Sequence, residues 1–179
     1  RKERNSRMKK FPFLLLDAGP IIKLFSLGVW QNFIEHCDVT ISRIVAEDEA
    51  LYTEDGKERI NLRPYEEQGL IKILDLNPSE VKAFHDKFDH LYKAEIHSGE
   101  KEMLAFMDNS HENWFVCSAD GAVYRVLGLL GKAEQGISLE EIFKKLGLTQ
   151  KLQWKYTKQF REKWTRQGQI DSIQGKGAT

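Results

Sequence analysis

Four carboxylates in this 179-residue chain have the type and placement to do chemistry: Asp17, Glu47, Glu100 and Asp120. Asp17 follows an unbroken apolar run, Phe11 to Leu16, and Asp120 closes the Ser118-Ala-Asp that follows Trp114 to Cys117. Open parallel sheets place their ligands at the C-terminal ends of buried strands, where both of these aspartates fall. An apolar strand ending in an unpaired Asp is costly without a cation or a hydrogen-bond donor nearby. Glu47 lies about one turn into a helix after the second strand, and Glu100 in the first turn of the helix before the last core strand. Four such acids turned to one point repel each other unless a cation sits between them. Oxygen ligands without a His/Cys cluster favour Mg²⁺ or Mn²⁺ over zinc. Taken singly, Asp17 reads equally as a helix cap, Glu47 and Glu100 as solvated helix residues, and Ser118 as a structural cap. Joint occurrence is what points to a metal site.

The elements that must position these residues can be read from the apolar pattern. Phe11–Leu16, Val39–Ser42, Gly69–Leu76 and Trp114–Cys117 have the short apolar runs of buried strands. Helices alternate with them: one from Pro20 to Gly28, Trp30 to His36, one from Arg43 carrying Glu47, Pro78 to about Tyr92, Ser98 onward, and Val123 to Leu130. That alternation predicts a three-layer α/β/α domain with a central, mainly parallel sheet. Asp55-Gly56 between polar flanks predicts an exposed hairpin inserted at residues 51–65. Residues 1–10 form a basic segment, 11–133 the metal-binding domain, and 134–179 a helical basic extension. Within it, Ser138-Leu-Glu-Glu141 is a capping box. Leu152, Tyr156, Phe160 and Trp164 lie four apart on a helix expected from Thr149, and the segment from Gln167 is expected to be loose.

Four stretches resemble the PIN-domain family: LLLDAGPIIKL (14–24), ISRIVAED (41–48), SGEKEMLAF (98–106) and CSADGAVYRVLG (117–128). The resemblance covers about residues 11–130. It places the family's acids on Asp17, on Glu47 five residues after Ser42, on Glu100, and on Asp120 two residues after Ser118. It implies metal-dependent phosphodiester hydrolysis by an endoribonuclease, with RNA preferred to DNA, and extends to the toxin of a toxin–antitoxin pair. Asp17 and Asp120 would be the central Mg²⁺ or Mn²⁺ ligands, Glu47 and Glu100 ligands directly or through water, and Ser118 a group holding Asp120 or a water. Departures are the 51–65 insertion, everything past about 135, and the Gly-Glu-x-Glu setting of Glu100. Glu102 could share Glu100's role, although two helical residues on it points about 160° away. Asp48 and Glu49 compete with Glu47, and the flanking residues decide for Glu47. The alternative is a PIN-like binding module that does not cut and engages nucleic acid or a partner protein through its extension.

The formal charge of zero conceals segregation: residues 1–10 carry six Lys/Arg against one Glu, and 149–179 carry seven against two acids. The body between them is left with a net charge of −10. Basic ends on an acidic body read either as phosphate-contacting arms or as solvated tails. An antitoxin-type partner would bring a basic tail to that body, and a homo-oligomer is compatible with it. Trp154, Tyr156, Phe160 and Trp164 interleaved with Lys and Arg suit nucleic-acid stacking or, more plainly, a helix docked by its aromatic stripe. The histidines have no ligand spacing. Two cysteines without a spaced framework read as buried thiols, and no apolar run reaches the roughly 18 residues of a membrane span, which together predict a cytoplasmic protein.

Overall fold

The computed structural model describes residues 9–179, so the basic segment 1–10 lies, except for its last two residues, outside the described residues. Four strands form one sheet: β1 (Phe11–Leu16), β2 (Cys37–Ser42), β3 (Lys72–Leu74) and β4 (Phe115–Cys117). Their order is β3-β2-β1-β4 and every pairing is parallel. The two central strands explain the unbroken apolar run, because residues of alternating direction meet different layers. Leu14 and Leu16 join one buried cluster, while Leu15 joins the other.

The first layer contains α1 (Ala18–Ser26) and α2 (Trp30–His36). The second is built from α4 (Pro78–His85), α5 (His90–Glu95), α6 (Ser98–Asn109) and α7 (Gly121–Leu129). The short α3 (Arg63–Glu67) precedes β3, and α8 (Leu139–Leu146) and α9 (Lys158–Ile173) complete the chain. The fold is α/β with an all-parallel sheet. Among the described residues, no helix is long and apolar enough to cross a membrane. Cys37 and Cys117 are buried free thiols.

Several elements differ from the pattern read in the sequence. The helix expected from Pro78 to Tyr92 is broken, because Asp89 accepts from the amides of Leu91 and Tyr92 and starts α5 afresh. Near Glu47 the chain forms a π-turn, Val45–Glu49, closed by Ala50 N–H donating to the Val45 carbonyl at 2.8 Å. The helix expected from Thr149 begins only at Lys158, since Thr157 is its N-cap and accepts from Phe160 N at 3.3 Å. Residues 154–156 form a separate 3₁₀ turn.

The segment expected to be loose is instead ordered. Asp171 is buried and accepts from Tyr92 Oη, Arg125 Nε (2.7 Å) and Gln167 Nε2 (3.0 Å). Beyond α9, Asp89 N–H donates to the Gly177 carbonyl and Gly177 N–H to Asp89 Oδ2, both at 2.8 Å. β1 carries one irregularity: its register against β2 shifts between Phe11 and Leu14, and Phe13 has φ 51°. That left-handed bulge costs about 1–2 kcal/mol and turns Phe13 out against Trp114, ring centroids 5.2 Å apart.

Candidate metal centre

The acids are brought together by two loops that leave neighbouring parallel strands. β1 and β4 pair directly, Leu16 opposite Cys117, and Asp17 N–H continues the ladder to the Cys117 carbonyl at 3.0 Å. Each strand then turns into a helix whose N-cap is its own aspartate. Asp17 Oδ1 accepts from Ala18 N and Asp120 Oδ1 from Ala122 N. The loops touch closely: a Cβ on Gly19 would lie 2.8 Å from that of Ala119.

Between the loops stands Ser118, fully buried. Its hydroxyl donates to Asp17 Oδ2 at 2.6 Å and accepts from Asp120 N–H at 2.9 Å. Tyr124 secures it in turn: its Oη accepts from Ser118 N–H, and its single proton lies within reach of the carbonyls of Ser118 and Ile137. Ser118 is therefore a positioning residue whose proton is committed to Asp17.

Glu100 enters from the first turn of α6. It is 5% exposed, as is Asp17, and accepts from His97 N–H at 2.9 Å. Burial raises its pKa well above the ordinary carboxylate range, and the charges of Asp17 and Asp120 raise it further. Burial likewise pushes Asp17 up to about 6, against the lowering effect of the bonds from Ser118 and Ala18. Glu49 and Asp120 add repulsion to that site. Both shifts have the same causes, burial first and then the neighbouring carboxylates, and a proton or a cation relieves both.

Glu47 is not in this group. It is exposed and paired with Arg43 at 2.9 Å, and Arg43 also engages Glu66 and Asp75. It lines a separate cavity with Arg59, Arg63 and Ile73. The acid that reaches the site from the π-turn is Glu49, whose Oε1 accepts from Gly99 N at 3.1 Å. Residues two apart on a helical turn face nearly opposite ways. Gly99 leaves room for it, since any Cβ there would meet the Glu49 carboxylate at 2.6 Å. Glu102 also faces away, toward Ile44 and Ser42, with its pKa raised by burial.

Asp17, Glu49, His97, Glu100 and Asp120 thus line one open pocket of about 400 Å³. Ligand atoms of His97, Glu100 and Asp120 all lie within 4.8 Å of one another. Of the pocket residues, only His97 is missed by sequence reasoning, and Glu49 takes the place read for Glu47. Glu49 was in view as a competitor of Glu47, whereas His97 carries no signal except its place three residues before Glu100. The donor set fits a divalent ion: carboxylate oxygens keep unused lone pairs, and two of the acids are destabilised as free anions.

Comparison of the chain with protein-family models, curated proteins and solved structures finds no match.

Proposed function

We propose that the pocket binds Mg²⁺ or Mn²⁺ and that the protein is a PIN-like endoribonuclease. The observation that carries this reading is the convergence of Asp17, Glu100 and Asp120, joined by Glu49, at the C-terminal ends of adjacent parallel strands, with burial and mutual repulsion disfavouring the free anions. A bound ion would neutralise charge growing on a phosphodiester and activate the attacking water. Asp17 and Asp120 are suited to hold it, because each has one oxygen fixed by its helix amide and so a set orientation. Glu100 and Glu49 are placed to complete the oxygen set, and the imidazole of His97 stands at the rim. Buried Ser118 keeps Asp17 in position.

Calorimetric titration with Mn²⁺, followed by cleavage of a labelled RNA, tests this reading. Binding and cleavage are expected, and both should be lost in Asp17→Asn and Asp120→Asn. A protein that takes up no Mn²⁺, or cleavage untouched by either substitution, would overturn it. The toxin role belongs to the same proposal, with the acidic body as the receptor of a basic antitoxin tail. The exposed Trp154 and the cations around it favour a second reading, a module that binds without turnover. RNA binding with Mn²⁺ uptake but no cleavage would select it.

A further inference from the structure

The extension is built onto the acidic pocket. Tyr156 Oη donates to the Gly19 carbonyl, two residues past Asp17, at 3.2 Å. The Trp164 indole lies so close to Gly121, next to Asp120, that a Cβ there would sit 2.5 Å from it. From Trp164 a row of rings leads outward: Phe160 at 6.3 Å, then Trp154 at 6.0 Å, each edge-on to the next. Trp154 ends the row 50% exposed.

Cations accompany the rings. The Lys155 ammonium lies 5.3 Å from the Tyr156 ring and that of Lys163 5.3 Å from Trp164. Lys151 and Arg166 are exposed on the same segment. Among the described residues, none of Lys151, Lys155, Lys163 and Arg166 has a carboxylate within 4 Å. Nearby Lys158 and Arg161 are different, being paired with Glu162 and Glu141.

We infer that this face is a binding track for single-stranded RNA, with a base stacked on Trp154 and phosphates against Lys155 and Lys163, leading the strand to the acidic pocket. This rests on the proposed activity of that pocket. An acidic pocket in an acidic body repels a polyanion, so a substrate strand needs cations beside it. A flat ring that is half exposed offers a base what a duplex cannot use, since paired bases are already stacked. An acidic peptide would match the lysines, but nothing in it would use the ring or tolerate the carboxylates next door.

The test is fluorescence anisotropy of the full chain with a labelled 12-mer oligouridine and a labelled RNA duplex, in Ca²⁺ so that binding is read apart from cleavage. The single strand should bind more tightly than the duplex. Trp154→Ala should weaken that binding by about 5- to 150-fold, as loss of one stacked base does, and Trp154→Phe should restore most of it. Lys155→Glu should lower the salt dependence by roughly 0.7 in log–log slope. Equal affinity for duplex, or Trp154→Ala binding as wild type while its melting temperature is unchanged, would overturn the track. Loss of cleavage alone, with these binding results intact, would instead count against the nuclease reading.

Discussion

The Ser118 hydroxyl donates to Asp17 Oδ2 across 101 residues of sequence, and Ser118 Oγ itself accepts from the Asp120 amide. One buried side chain therefore sets the spacing of the two strand-end aspartates. Hydrogen bonding to the ionised form lowers a carboxyl pKa, and Ser118 is the largest such influence on Asp17. Ser118→Ala should therefore raise the Asp17 pKa further, weaken Mn²⁺ binding at pH 7, and cost about 1.5–3 kcal/mol of stability. Thermal melts with and without Mn²⁺ check all but the first. A variant as stable as wild type, with unchanged Mn²⁺ affinity, would remove Ser118 from the positioning role.

Glu47 and Glu49 make a matched pair for separating the site from the surface. Glu49→Gln removes a charge that faces Asp17, whereas Glu47→Gln loosens an exposed ion pair with Arg43. Surface pairs contribute about 0–1 kcal/mol, so the second change should be nearly silent in melting. Mn²⁺ affinity should fall about tenfold for Glu49→Gln and stay within twofold for Glu47→Gln. The reverse ranking in a calorimetric titration would restore Glu47 to the site.

Asp17 also makes cation-free stability depend on pH. Its folded pKa lies near 6, above the ordinary value of 3.8. Below about pH 4 both folded and unfolded forms hold the proton. As pH rises from about 4 to 6 the unfolded chain releases it first, so stability falls by about 3 kcal/mol and then levels. Glu100, shifted in the same direction, extends the decline to higher pH. Mn²⁺ competes with those protons, so the rise in melting temperature on adding it should be large at pH 7.5 and small at pH 5. A rise independent of pH would mean that the ion binds elsewhere.

The strand-end aspartates were legible in the sequence because an apolar run and the acid that ends it are adjacent residues, and the alternation of elements fixes which end of the sheet they share. The acid on the π-turn was not legible in this way. Glu47 and Glu49 differ only in direction, and the partner that receives Glu49 is Gly99, on a helix some fifty residues later. The order of residues 167–179 was hidden for a similar reason. Polar, Gly-rich sequence has little local preference, and its structure comes from Asp171 meeting Tyr92 and Arg125, and Gly177 meeting Asp89. Local pattern reads elements; it does not read which distant partner a polar side chain finds.

Gly168 carries the last prediction. In a helix interior, Gly→Ala ordinarily stabilises by about 0.5–1 kcal/mol. Here α9 crosses α7 at Gly168 and Gly128, and a Cβ on Gly168 would lie 1.9 Å from the Arg125 carbonyl oxygen and 2.8 Å from Leu129 N. Those are backbone atoms, so no side chain can step aside and the helices must part. Gly168→Ala should thus cost about 2 kcal/mol or more, lowering the melting temperature by roughly 5 °C, opposite in sign to the helix preference. Parting the helices also draws Trp164 from Gly121 and Asp171 from Arg125, so Mn²⁺ affinity should fall with stability. Ile173→Ala, at an 86% exposed position on the same helix, is the control and should change neither. A stabilised Gly168→Ala would mean that α9 does not press on α7 as closely as described, and that the aromatic track is not fixed to the acidic pocket.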